Sequence, residues 1–377
     1  MRIAYYTFRG QFADSPRAIY EALATRLTGD VEHTWLCTEE TRHLFPADVR
    51  TVRARTDDAI GALEAADLVI ANDCISMPWS KKPGATYVQT WHGTPLKRIH
   101  HDVPDAPEGW LTLPDLDVAR WDHLLSPNAA SSERLRRAFG FRGPVHETGL
   151  PRNDLLSSPA RDVVRAQVRA ALGIADHQTV VLYTPTWRDD LVFDRSARDF
   201  QLAVDLADFR RRLGPDHVLL LRLHHMVSDR LTAVESSHAL DVSRHPDVTE
   251  LYLAADLMVT DYSSAMFDFA ITGKPLVFFT YDLERYRDQL RGFYFDFADV
   301  APGPLLSTSA EVIDAIAGID AVTAAHAERY ARFRETFCHL EDGAATRRVL
   351  DLILPAATAP GQTSTTTPEG DDVRADR

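Results

Sequence analysis

The sequence predicts an α/β protein made of two parallel-sheet domains, and three observations carry that reading. Short apolar runs alternate with helix-patterned stretches along most of the chain, the arrangement that produces a parallel sheet. Two of the runs, Val180-Val181-Leu182-Tyr183 and Val218-Leu219-Leu220-Leu221, are almost unbroken, as expected of strands covered on both faces. The alternation occurs twice, and 377 residues are enough to bury two separate cores. The expected division is a first domain over 1–155 and a second over 156–354, with a C-terminal helix returning to the first. The Pro-, Thr-, Gly- and Asp-rich remainder, 355–377, lacks apolar periodicity and reads as a disordered tail.

In order, the first half opens with a strand over 3–8 and a helix over 15–27, for which Ser15 is the cap and Pro16 sits in the first turn. Strands follow at 66–71, 86–90, 121–125 and 145–148, with a helix opened by Ser126-Pro127-Asn128 and running to 139. Residues 102–117, rich in Pro and acid, read as a surface insertion or a lid. A linker helix over 159–172 leads to strands at 179–184, 218–223, 256–260 and 275–280, and helices fill the stretch from 308 to 354.

Composition narrows the function classes. With 45% hydrophobic and 25% charged residues the chain is ordinary for a globular protein, and a formal net charge of −14 argues against a general nucleic-acid binder. Cys37, Cys74 and Cys338 have no paired spacing, so neither a disulfide framework nor a cysteine zinc site is expected. The apolar start ends at Arg9-Gly10, too soon for a signal peptide, and no run of 18 apolar residues offers a membrane span. A cytoplasmic location is expected.

The chemistry centres on Trp91-His92-Gly93-Thr94-Pro95-Leu96-Lys97-Arg98. An extended run leads into His92 and Gly and Pro then break the chain, which sets an imidazole at the C-terminal lip of a strand, where open α/β sheets place their chemistry. Such a group suits proton transfer beside an anionic substrate. The second half repeats the device: Leu219-Leu220-Leu221-Arg222-Leu223-His224 ends a strand in an imidazole, with Arg222 two residues earlier on the same face. Asp261-Tyr262-Ser263-Ser264 then closes another strand and opens a helix through about 271, a phosphate-binding arrangement, with Asp268 one turn in to meet a ligand hydroxyl. Thr186-Trp187-Arg188 ends a further strand, Trp187 serving either core or ligand, and Arg152 lies near the expected hinge. Arg134, Arg136 and Arg137 read as a water-facing helix surface. Lys97, Arg98, His100 and His101 read as a solvated face or as contacts to an anionic acceptor or membrane headgroups.

Taken together, Trp91 to Lys97, Gly149-Leu150-Pro151-Arg152-Asn153-Asp154, Pro185-Thr186-Trp187-Arg188, Arg222-Leu223-His224 and Thr260-Asp261-Tyr262-Ser263-Ser264 resemble the CDP-glycerol glycerophosphotransferases, the primases and polymerases of wall teichoic acid and related polymers. Lys274-Pro275 and Arg291-Gly292-Phe293-Tyr294 extend the match. The resemblance implies a GT-B architecture, two Rossmann-like domains with the site in the cleft between them, and no obligatory metal or cofactor. It implies transfer of glycerol phosphate from CDP-glycerol to a hydroxyl of a lipid-linked polyprenyl-diphosphate saccharide or teichoic acid acceptor, with release of CMP, at the inner face of the cell membrane. His92 carries over as catalytic base and His224 as the group meeting the pyrophosphate. Trp91, Gly93, Thr94, Pro95, Arg152, Thr186, Trp187, Arg222, Leu223, Ser263, Ser264 and Asp268 carry over as donor-binding positions. His225 stands where many relatives carry proline, so two imidazoles compete for the second position. The other readings are a CDP-ribitol transferase, a nucleotide-sugar glycosyltransferase on the same scaffold, and a non-catalytic subunit of a wall-polymer assembly complex.

Overall fold

Apolar strands of four to six residues cannot shield both of their own faces, so they join edge to edge and take helices on either side. The computed structural model, which describes residues 1–104, 107–186, 202–223, 238–290 and 292–354, contains two such sheets. Seven parallel strands form the first: β1 (Arg2–Tyr6), β2 (Glu32–Cys37), β3 (Thr51–Arg53), β4 (Leu68–Ala71), β5 (Thr86–Gln89), β6 (His123–Ser126) and β7 (Val145–Glu147), in the order β3-β2-β1-β4-β5-β6-β7. Six form the second: β8 (Thr179–Thr184), β9 (His217–Leu221), β10 (Ala239–Asp241), β11 (Leu257–Thr260), β12 (Leu276–Phe279) and β13 (Leu305–Leu306), in the order β10-β9-β8-β11-β12-β13. In each sheet the chain winds outward one way and then returns to the other side of its starting strand. The winding therefore reverses between β1 and β4 and again between β8 and β11, and crevices open there at the carboxyl ends of the strands.

Several elements depart from the sequence reading for identifiable reasons. β3, β10 and β13 are two- or three-residue edge strands with too few positions to show a period, and β2 begins on polar Glu32-His33. β9 stops at Leu221, so Arg222 and Leu223 lie beyond the strand rather than on its alternating face. The first helix is Asp14–Arg26, capped at Ala13 without a side-chain bond rather than at Ser15; Asp14, at φ +63°, accepts from the Ser15 amide. The segment over 102–117 is not merely a loop: Thr112–Val118 is helical.

The chain passes from the first sheet to the second through the turn Pro151–Ser157 and the helix Arg161–Ala171. It comes back through the long helix Ile319–Phe337 to the helix Ala345–Ile353, whose Val349 and Leu350 are buried with Ile3, Tyr5, Ile19 and Leu23 of the first half. That last helix has no side-chain cap of its own. The Asp154 carboxylate supplies one from the crossover turn, accepting from the amides of Ala345 (2.9 Å) and Thr346 (2.8 Å).

Glu341 closes the same junction. Its Oε1 accepts from the Leu150 amide at 3.1 Å, and the Ser157 hydroxyl donates to its carbonyl at 2.9 Å. Burial, reinforced by the negative charge of Asp268, pushes the Glu341 carboxyl up to about 8 from an ordinary 4.5. The folded chain thus holds a proton that the unfolded chain releases near 4.5. The associated stability is complete below that pH and is lost as pH rises through 8. Glu341→Gln, which fixes the neutral form, is expected to unfold in urea much like the parent at pH 5 and to be ahead of it by about 1–3 kcal/mol at pH 9. Parallel stability profiles for the two chains between those pH values would remove this assignment.

Candidate active site

β5 ends in a sharp reversal. Trp91 adopts φ +52° and Gly93 φ +149°, so the backbone turns on both sides of His92. Local hydrogen bonds hold the strained Trp91: its amide donates to Gln89 Oε1 at 2.9 Å and its carbonyl accepts from the Thr90 hydroxyl at 2.9 Å. The His92 ring stacks on Trp91 at 4.0 Å between centroids, and Trp91 and Phe139 meet edge to face at 4.7 Å. His92 Nδ1 lies 2.6 Å from the carbonyl of Asn72, which follows β4. A carbonyl only accepts, so Nδ1 carries the hydrogen and Nε2 is left as the basic nitrogen.

His92 lines a cavity of about 530 Å³ at the switch point of the first sheet. Phe8, Asp73, Trp91 and Trp110 contribute from the first half, and Tyr262 and Ser264 enter from the end of β11 in the second. The approach between the halves is close at Gly93, where a Cβ would stand 3.4 Å from Ser264 Oγ and 3.5 Å from Arg152 Nη2. Beyond Gly93 the loop is stitched to the second half. Leu96 is buried in that half's core, its carbonyl accepts from the Tyr294 amide (2.9 Å), and the Arg98 amide donates to the Gly292 carbonyl (3.1 Å). Lys97 and Phe293 form the antiparallel bridge between these bonds.

Of the residues anticipated for the site, Trp91, His92, Gly93, Thr94, Pro95 and Ser264 come together around the cavity. Thr94 is buried and accepts from Asn128 Nδ2 at 2.9 Å, so its hydroxyl braces the loop. Ser263 accepts from the Ala265 amide at 3.3 Å, and the helix Ala265–Ile271 starts there. The Thr186 amide donates to Asp261 Oδ1 at 2.8 Å, which ties the end of β8 to the end of β11. His224 and Trp187 lie outside the described residues, as do Arg188 and His225.

Arg152, Asp268, Arg222 and Leu223 each meet partners within the chain. Arg152 bridges Asp14 Oδ2 and Asp268 Oδ2 at 2.6 Å each, with its side chain only 9% exposed, and Asp268 Oδ1 accepts from Asn153 at 3.0 Å. Neither Arg152 nor Asp268 offers an open face to a ligand here. Each is held by the other because an unpaired charge at that depth is costly. Burial raises the Asp268 carboxyl against the pull of Arg152, whereas at Asp14 the guanidinium and the Ser15 amide outweigh burial and hold the carboxyl low. Arg222 turns its guanidinium onto the carbonyls of His245 (2.7 Å) and Val242 (3.3 Å), and Leu223 is buried in the apolar layer beside Leu221.

Three supporting residues were not anticipated from sequence: Asn72, Asp14 and, as an interdomain brace, Asn128. Asn128 also donates to the Phe337 carbonyl at 2.9 Å, and its place after a strand in Ser-Pro-Asn was the available signal. The arginines of the helix Ala129–Phe139 are likewise not a plain water-facing surface. Arg137 makes a bidentate pair with Asp102, which also accepts from the Tyr294 hydroxyl, and Arg134 lies over Phe295 at 4.9 Å.

With this geometry in place, the chain can be set beside known proteins. Residues 1–355 match the model of the family described as CDP-Glycerol:Poly(glycerophosphate) glycerophosphotransferase. A teichoic acid poly(glycerol phosphate) polymerase of Bacillus spizizenii is 36% identical over 363 residues, which cover 93% of this chain and 91% of that one. A teichoic acid glycerol-phosphate transferase of Staphylococcus aureus is 35% identical over 93% of this chain and 92% of its own. The polymerase of Bacillus subtilis, 34% identical, is matched over only 48% of its length. Among solved structures, the wall teichoic acid polymerase TagF superposes with a TM-score of 0.85 at 33% identity, covering 93% of this chain and 87% of that chain. That likeness makes the two-sheet architecture GT-B. Since the match takes in both sheets and the His92 loop that joins them, the chain belongs to the CDP-glycerol:poly(glycerophosphate) glycerophosphotransferase family.

Proposed function

We propose that the cleft transfers glycerol phosphate from CDP-glycerol to a hydroxyl of a lipid-linked wall-polymer acceptor and releases CMP, with His92 as general base. The observation that carries the reading is the Asn72 carbonyl on His92 Nδ1, which leaves Nε2 basic in a cavity that both halves line. An acceptor alcohol is a weak nucleophile until its proton is taken in the transition state. His92 takes that proton as the oxygen attacks the β-phosphorus, and the bond from that phosphorus to the bridging oxygen breaks. Negative charge then collects on departing CMP. Ser263 and Ser264, which follow β11, would meet it with hydroxyl donors. His224 carries over to the same task from the resemblance.

The acceptor side is supported by an apolar rim. Trp110, Leu113 and Leu116 are 45%, 47% and 53% exposed, and Trp110 also lines the cavity. Such a surface suits a lipid-anchored acceptor approached at the membrane face. No described helix is long and apolar enough to cross a membrane, so on this reading the association is peripheral.

The reading is tested by a donor screen for CMP release with a lipid-linked acceptor analogue. CDP-glycerol is expected to be turned over and to raise the thermal midpoint, and UDP- or GDP-sugars to do neither. CDP-ribitol in the same screen separates the two polyol donors, and turnover confined to it would reassign the substrate. His92→Ala is expected to lower turnover by about 10²–10⁴-fold while CDP-glycerol binding is retained. Near-parental turnover in that variant would refute the base assignment. Gly93→Ala places a methyl against Ser264 at a φ that side chains resist. It is expected to cost about 1–3 kcal/mol of stability and about 10²-fold in turnover, read from unfolding and steady-state rates.

A further inference from the structure

We propose that His100, His101 and Asp115 bind one divalent transition-metal ion, of which Zn²⁺ is the type, and that the ion fastens the helix Thr112–Val118 to the segment following the His92 loop. The three donor atoms lie within 4.8 Å of one another. His101 Nε2 is 2.8 Å and His100 Nε2 3.8 Å from the same oxygen, Asp115 Oδ1. Two imidazoles and a carboxylate, with the fourth position left to water, form an ordinary zinc donor set, and tetrahedral ligands at about 2.0–2.2 Å from the metal stand about 3.3–3.5 Å apart. The two spacings bracket that value, and His101 and Asp115, each roughly half exposed, are free to make the small adjustment.

The decisive residue is His100. Its side chain is 7% exposed, its backbone is held at φ +50°, and its ring packs on Phe139 at 4.9 Å. Nδ1 faces the Ala138 carbonyl at 3.2 Å, which can only accept, so the hydrogen resides on Nδ1 and a lone pair on Nε2. Nε2 is buried and has no hydrogen-bond partner among the described residues. A lone pair therefore points toward a carboxylate, acceptor toward acceptor, and a cation between them satisfies both. A carbonyl on the far nitrogen of a ligating histidine is also the usual way its ring is oriented for a metal. His100 lines the cavity, as do Trp110, Leu111 and Pro114 of the segment that Asp115 would anchor, so the ion would set that wall without touching the reacting atoms.

The test uses the full chain, stripped with a chelator and titrated with Zn²⁺ alone against a chromophoric competitor. One equivalent is expected to bind and to raise the thermal midpoint. His101→Ala and Asp115→Ala alter half-exposed side chains. Each is expected to weaken binding by at least about tenfold and to abolish the midpoint shift, while the metal-free midpoint and circular dichroism stay those of the parent. Absence of stoichiometric binding would overturn the proposal. So would binding that survives both variants, or that is lost instead in His146→Ala, which breaks the only other close imidazole pair among the described hydrogen bonds, His123–His146 at 3.0 Å.

Discussion

One guanidinium decides how the two halves meet. Arg152 takes a carboxylate from the first helix of one half, Asp14, and another from the helix behind β11 of the other, Asp268, each at 2.6 Å. At that depth neither acid can be withdrawn without leaving a bare charge in a low-dielectric site, which is far costlier than a surface pair. The two sheet edges are therefore held at one spacing. The cluster carries two acids against one base: burial raises the Asp268 carboxyl, and burial together with the charge of Asp268 raises that of Glu341. The network at the base of the cleft is an electrostatic clamp between the halves.

What the clamp secures is the loop after β5. Catalysis between two lobes needs a base from one to stand within reach of atoms held by the other, and errors of an ångström are expensive. Gly93 against Ser264, the main-chain bonds of Leu96 and Arg98 to Tyr294 and Gly292, and Asn128 spanning Thr94 and Phe337 all set that reach with short or buried groups. Long side chains lose much more entropy in the same task. The loop thus has two jobs, carrying the imidazole and forming part of the join.

The division of labour between residues explains what sequence could show. His92 was legible because the local signals agree: a β-prone run, then Gly and Pro. Both sheets were legible because central parallel strands are unbroken apolar runs. Edge strands β3, β10 and β13 were not, since two or three residues carry no period. Arg152, Asp268 and Arg222 were named as important positions, yet their partners come from over 100 residues away for the first two and about 20 for the third. Nothing local distinguishes a guanidinium that waits for phosphate from one that has already found two carboxylates. The helix Thr112–Val118 was hidden by Pro114 and two acids, a composition that also describes a loop.

A join made of buried charges and main-chain bonds leaves little room to select an acceptor by opening and closing the lobes. Adaptability must then lie in parts of the cavity that the clamp does not reach. Phe8 and Trp110 are such parts, both nearly half exposed at the cavity, one from the turn after β1 and the other beside the helix Thr112–Val118. The polar wall, with Ser264 across from His92, is fixed in space and suits a charged donor of constant shape. The apolar wall stands on short segments attached by side chains. In an enzyme that adds to a growing polymer, rigidity belongs where phosphorus is attacked and tolerance where the polymer enters, and the distribution of buried and exposed contacts around this cavity follows that requirement.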